Sequence, residues 1–185
     1  VFTGNPGTAK TTVARLVGRI CKQYGLLPTG EFLEVGRGDL VGRYAGHTAK
    51  CVAEVFQRAK GGVLFIDEAY SLLDDRRGLF GDEAINAIVQ QMENVRSDTM
   101  VIFAGYPREM ETFLNRNEGL RSRVSFQVAF PDYSEEELWQ ILCGFLSRQQ
   151  RELDAEATQW VRTLLRSAMK EDGFGNGRFV RLLVE

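Results

Sequence analysis

A parallel α/β sheet followed by a small all-helical subdomain is the fold class the sequence predicts, and three observations carry that prediction. Strand-sized and helix-sized apolar patterns alternate from Val1 to Phe130, the signature of a parallel sheet covered by helices on both faces. No strand pattern follows Phe130. A glycine-rich loop joins the opening strand to the first helix. The 185 residues suit one domain with a small appendage, at roughly 150 residues per domain. With 44% hydrophobic and 26% charged residues the chain can build a core, which excludes intrinsic disorder.

The elements follow in order. Val1-Phe2-Thr3 reads as the end of a strand, and an apolar-periodic helix runs from Thr11 to about Tyr24. Glu31–Val35 is strand-like, and Gly36–Gly46 reads as a glycine-rich loop. Val52, Val55, Phe56 and Ala59 then recur at helical spacing. Val63–Ile66 is a buried-strand run ending in two acids, and Ile85, Ile88, Val89 and Met92 repeat the helical spacing. Met100–Ala104 is a further strand, Pro107–Leu114 a short helix, and Val124–Phe130 a last strand. Beyond it, Ser134 and Glu137 form a capping-box signature ahead of a helical face of Leu138, Ile141, Leu142, Phe145 and Leu146. A second helix uses Trp160, Val161, Leu164, Leu165 and Ala168, and a third begins near Asn176–Arg178. The expected division is therefore an α/β part over 1–130 and a helical part over 131–185, truncated at its C-terminal end. The apolar stripes and both tryptophans are expected in the core. Both ends break off inside a pattern, so the sequence reads as a segment of a longer polypeptide.

Charge and composition narrow the function classes. There are 23 Lys+Arg against 25 Asp+Glu, a net charge of -2, which argues against a polybasic nucleic-acid tail and against an acidic tail. The longest apolar runs, such as Val63–Ile66 and Val101–Ala104, fall far short of the ~20 residues of a membrane helix. Cys21, Cys51 and Cys143 are odd in number and scattered, fitting a reducing, cytoplasmic setting better than a disulfide frame. One histidine and no Cys/His cluster leave no case for structural zinc.

The first chemical motif is Gly4-Asn5-Pro6-Gly7-Thr8-Ala9-Lys10-Thr11, with Thr12 next, between a strand and a helix. A glycine-rich turn feeding a helix N-terminus aims several main-chain N–H groups at one point, where the helix dipole adds positive potential. Lys10 supplies a full charge to the β- and γ-phosphates, and the Thr11 hydroxyl suits Mg2+. This is the physical content of a Walker A loop, with one departure: Ala9 stands where the second glycine would be. If that position needs positive φ, alanine costs roughly 1–2 kcal/mol. That is small beside the roughly 8 kcal/mol of a micromolar nucleotide site.

The second motif is Asp67-Glu68, at the carboxyl end of the Val63–Ile66 strand. Ligands of parallel sheets sit at that edge. Asp67 is expected to hold Mg2+ and Glu68 to orient and deprotonate the attacking water. The two motifs together, in this order and with these flanking elements, point to ATP or ADP with Mg2+.

At this point the chain resembles the AAA+ ATPases along essentially its whole length. It looks most like the group containing stage V sporulation protein K, red-type Rubisco activases and type VII secretion ATPases. The stretches that carry the resemblance are Phe2–Thr11, Asp39–Ala49, Leu64–Tyr70, Leu120-Arg121-Ser122-Arg123 and Phe130-Pro131-Asp132-Tyr133-Ser134. The resemblance implies a five-stranded parallel sheet with a helical lid, assembled as a hexameric ring. It implies that Arg123, with Arg121 as the alternative, reaches the γ-phosphate bound by a neighbouring subunit. Arg178, in Gly175-Asn176-Gly177-Arg178, resembles the lid's second sensor, which contacts phosphate. The first sensor, an Asn or Thr in many relatives, is not identifiable in Ile102-Phe103-Ala104-Gly105-Tyr106.

Tyr44-Ala45-Gly46 sits where related rings present an aromatic loop to the pore, so Tyr44 is expected to grip an extended protein substrate. His47 is expected as a loop hydrogen-bonder, and Phe80 and Gly81 as part of a second pore loop. The leading expectation is an ATP-hydrolysing module whose ring remodels or threads a protein partner, hydrolysis depending on assembly. Two alternatives stand beside it: a nucleotide-gated scaffold with little turnover, and a DNA-acting clamp or helicase loader. The absence of a basic cluster and the Tyr44 loop argue against the last, so no nucleic-acid partner is expected.

Overall fold

The most apolar run of the sequence forms the strand around which the sheet is built. Val63–Ile66 (β3) is completely buried, as a strand covered on both faces must be. It pairs in parallel with Phe32–Val35 (β2) on one side and Met100–Gly105 (β4) on the other. Phe2–Gly4 (β1) pairs in parallel with β4, Phe2 opposite Ala104 and Thr3 opposite Gly105. Val128–Phe130 (β5) completes a five-stranded sheet in the order β2-β3-β4-β1-β5. Register decides what lies at the carboxyl edge. Ile66 is opposite Phe103 and Thr3 opposite Gly105, so the ends of β3, β4 and β1 are level to within three residues.

The computed structural model describes every residue except 43, 45, 75–79, 96 and 172, and the chain divides into two compact units. Val1–Thr3 and Lys10–Ala129 form the sheet unit. Its helices are Lys10–Gln23 (α1), Arg37–Leu40 (α2), Thr48–Arg58 (α3), Phe80–Asn94 (α4), Pro107–Asn115 (α5) and Glu118–Arg123 (α6). Val52, Val55 and Phe56 of α3, Ile85 and Ile88 of α4 and Met110 and Phe113 of α5 meet Leu64, Ile66 and Phe103 in one core. Pro107 opens α5 at a position where its missing N–H has no helical partner to lose.

Three short elements depart from the sequence reading. The Gly36–Gly46 stretch is not all loop, because α2 lies inside it. The last strand begins at Val128 rather than Val124. Val124 instead ends α6, its N–H donated to the Leu120 carbonyl. A 3-10 turn over Ala69–Leu73 follows the acid pair. Four to six residues are too few for a helical period to register in sequence.

Gly4–Ala9 groups with Phe130–Glu185 as the second unit. Its helices are Glu135–Arg148 (α7), Ala155–Ala168 (α8) and Asn176–Val184 (α9), packed through Leu138, Leu142, Val161, Leu165, Val180 and Val184. The capping box forms as read: the Glu137 N–H donates to Ser134 Oγ, and the Ser134 N–H to Glu137 Oε2 at 2.8 Å. The tryptophans correct the sequence reading. Trp160 is 64% exposed, because it lies one residue, about 100° of helix, off the buried stripe of Val161, Leu165 and Ala168. Trp139 is half-buried beneath the Arg162 guanidinium, 4.3 Å from its ring centre.

Candidate functional site

Within the helical unit, Gly4–Ala9 is held by side chains distant in sequence. Asn5 Nδ2 donates to both carboxylate oxygens of Asp132, at 3.0 and 2.9 Å. Thr8 is buried and its hydroxyl donates to the Asn5 carbonyl at 2.8 Å, closing the turn on itself. Gly7 has φ +73°, and a Cβ there would overlap the Gly175 carbonyl and lie 2.8 Å from the Arg178 nitrogen. Only glycine fits. Pro6, between them, accepts a hydrogen bond from Asn176 Nδ2 at 3.2 Å. Ala9 has φ +67°, so this position does demand the left-handed backbone, and alanine carries the cost of roughly 1–2 kcal/mol. Arg178 lies in the first turn of α9, exposed to solvent, with its main-chain N–H donated to Gly175.

Within the sheet unit, Lys10, Thr11 and Thr12 form the first turn of α1, the end with positive dipole potential. Asp67 and Glu68 follow β3 directly, at the carboxyl edge. The Asp67 N–H donates to Val35 at 2.9 Å, and Asp67 Oδ1 accepts the Glu68 N–H at 3.0 Å. Glu68 sits at φ 46°, ψ 45°. A glutamate in the left-handed region is a strained conformation, of the kind that persists where surrounding structure over-determines it.

Two tyrosines complete this edge. Tyr106 follows β4 and precedes α5, and its ring stacks on Tyr70 with centres 5.7 Å apart. A Cβ on Gly105 would meet both Tyr70 and Met110, so the end of β4 has room for no side chain there. Burial, reinforced by the charge of Glu68 and more weakly by Tyr106, Glu109 and Asp67, pushes the Tyr70 phenol up to about 12. It therefore keeps its O–H at neutral pH.

The two candidate trans arginines end in different surroundings. Arg123 is paired with Glu93 at 3.2 Å and also donates to the Gly119 carbonyl, beside a cavity of about 440 Å³. Arg121 donates to Asn115 Oδ1 at 3.1 Å and lines a separate cavity with Thr3 and Pro107. Tyr44 is 69% exposed, touching the His47 ring edge-on at 5.7 Å; its neighbours 43 and 45 lie outside the described residues. His47 immediately precedes α3 and makes no side-chain cap bond to it. Phe80 and Gly81 belong to no loop: they open α4, and Gly81 is buried. The stretch before them, 75–79, lies outside the described residues.

A glycine loop opening a helix, an acid pair at the end of a buried strand and a helical unit after the sheet together match a known family model. Residues 1–132 match the model described as ATPase family associated with various cellular activities (AAA), and residues 134–185 match the AAA lid domain. The chain belongs to the AAA family. It is 43% identical over its whole length to stage V sporulation protein K of Bacillus subtilis, covering 58% of that protein. It is 46% identical over 97% of its length to the chloroplastic ribulose bisphosphate carboxylase/oxygenase activase of Cyanidioschyzon merolae, covering 62% of it. The chain thus spans about three-fifths of the length of these curated relatives. The crystal structure of the FIGL-1 AAA domain in complex with ADP superposes with a TM-score of 0.67 at 23% identity, covering 99% of this chain and 57% of that one. That likeness establishes the fold.

The AAA architecture implies magnesium, and the donors suit it. A threonine hydroxyl and one carboxylate are hard oxygen ligands. Among the described residues no three His, Cys, Asp or Glu side chains cluster as a self-sufficient metal cage. Among the same residues no helix is long and apolar enough to cross a membrane. Sequence reasoning passed over Tyr70, Tyr106, Asp132 and Asn176. A signal for the last existed: an asparagine flanked by glycines marks a left-handed turn.

Proposed function

We propose that this AAA module binds ATP with Mg2+ and hydrolyses it to ADP and phosphate within a homo-oligomeric, hexameric ring that remodels or threads a protein partner. The observation that carries the reading is Glu68, a strained carboxylate beside Asp67 at the carboxyl edge of a fully buried strand. Residues 1–130 serve as the nucleotide-binding part and 131–185 as the lid. Main-chain N–H groups of Asn5, Gly7, Thr8 and Ala9, with the Lys10 ammonium and the first turn through Thr11 and Thr12, receive the phosphates, while Pro6, which has no N–H, shapes the turn. The Asn5 carboxamide is committed to Asp132, so its contribution is main-chain. Thr11 and Asp67 hold the cation, which neutralises charge on the β- and γ-phosphates. Glu68 accepts the proton of the attacking water, and the Tyr70 O–H beside it supplies a donor at neutral pH.

Arg123, with Arg121 as the alternative, serves the neighbouring subunit and must first exchange Glu93 for phosphate. Arg178 contacts phosphate from the lid, and exposed Tyr44 grips the substrate chain. A relative named as an activase of ribulose bisphosphate carboxylase/oxygenase supports a protein target rather than a nucleic acid, and the three scattered cysteines support a reducing, cytoplasmic setting. A nucleotide-gated scaffold is the second reading, favoured by the strained Ala9 and by Gly105-Tyr106 where a polar first sensor would stand.

Glu68→Gln separates the two. In the hydrolytic reading the variant retains ATP while phosphate release falls by about 100-fold or more. Wild-type protein that releases no phosphate as an assembled ring, with partner binding unchanged by the substitution, selects the scaffold.

A further inference from the structure

The asparagine at the start of α9 is fully buried and adopts φ +47°. Asparagine tolerates that backbone better than most residues, yet glycine would tolerate it with less strain, so the carboxamide is what the position gains. Its Oδ1 accepts the Tyr133 N–H at 3.0 Å. Its Nδ2 donates to Asp132 Oδ1 at 2.8 Å and to the Pro6 carbonyl at 3.2 Å, with a longer approach to the Phe174 carbonyl at 3.4 Å. Asp132 in turn receives Asn5. One residue on, the Gly177 N–H donates to the Gly7 carbonyl at 3.1 Å.

Two consecutive carbonyls of the loop, those of Pro6 and Gly7, are therefore fixed by donors from Asn176 and Gly177. A trans peptide is planar, with its C=O and N–H pointing in opposite directions. Holding the Pro6 oxygen from one side turns the Gly7 N–H to the other, and holding the Gly7 oxygen does the same for the Thr8 N–H. Those amides are the donors a phosphate would need.

We infer that Asn176 is a positioning residue of the nucleotide site: its carboxamide orients the phosphate-loop amides from the helical unit, so that loop geometry and the seating of α9 change together. The inference rests on the nucleotide-binding reading above. It gives the lid a hold on the loop that does not pass through Arg178.

The test is ADP titration by calorimetry in the full-length protein, with thermal melting in the absence of nucleotide. Asn176→Gly keeps the left-handed backbone and deletes the carboxamide. Asn176→Ala also deletes the carboxamide without setting a second carboxylate against Asp132, and serves if the glycine variant does not fold. Either variant is expected to weaken ADP binding by about tenfold or more, the scale of one lost hydrogen bond to the loop. Either variant also melts lower, because the Tyr133 N–H and the Pro6 carbonyl lose their partner. The control is Val161→Ala, which loosens the helical core away from the loop. It should melt lower while keeping wild-type ADP affinity, a separation that a purely structural role would not produce. Wild-type affinity in a folded variant overturns the inference and leaves the nucleotide reading standing, as does weakened binding that only tracks a lowered melting temperature. Absence of ADP heat in the wild-type protein overturns both.

Discussion

Ala9 and Glu68 are two non-glycine residues held at positive φ, one in each proposed motif, and they invite different explanations. In the proposed reaction Glu68 needs its carboxylate at this edge, so its strain is a cost of placement. Nothing in the Ala9 side chain is used, so its strain is removable. Ala9→Gly should therefore stabilise the protein by about 1 kcal/mol, the relief of left-handed strain less the extra chain entropy of glycine. That corresponds to a rise of roughly 2–4 °C in melting temperature; a fall would show that the methyl group is packed to advantage. The residues of the motif were legible in sequence because phosphate chemistry demands Lys10 and Thr11 beside a glycine turn. The conformation of Glu68 was not legible, since a single φ angle leaves no periodic trace.

At the scale of elements, legibility followed length and burial. Val63–Ile66 and the α3 stripe are buried, as are Ile85 and Ile88 of α4 and Leu138 and Leu142 of α7, while Val89, Met92, Ile141, Phe145 and Leu146 are half-buried at the margin of those cores. Trp160 defeated the same reasoning, because an aromatic adjacent to a stripe satisfies the pattern without joining it. The helices α2 and α6 were too short to show a period at all. Ser134 was read correctly because capping is a local rule with a fixed spacing. Its carboxylate partner supports the geometry: hydrogen bonds from the Ser134 N–H and hydroxyl hold the Glu137 carboxyl below its usual range. Ser134→Ala should cost about 1 kcal/mol, lowering the melting temperature by roughly 2–4 °C. An unchanged melting temperature would show that α7 is held by Leu138 and Leu142 alone.

Across the whole molecule, the features hardest to foresee are those that join distant parts of the chain. Asn5 meets Asp132 across 127 positions, and Pro6 meets Asn176 across 170. Each of these residues has a local context, but nothing in the sequence pairs them, and only the folded chain brings them into one network. That network groups Gly4–Ala9 with the helices, while Lys10–Thr12 open the first helix of the sheet unit. Because Asn176 and Gly177 hold the Pro6 and Gly7 carbonyls, nucleotide occupancy and the seating of α9 are expected to depend on one another. The account stands on the loop receiving a polyphosphate. Calorimetric titration with ATP and magnesium tests this most directly. Saturable heat should appear in the wild-type protein and disappear in Lys10→Ala. No heat from the wild type, or undiminished affinity in the lysine variant, would contradict it.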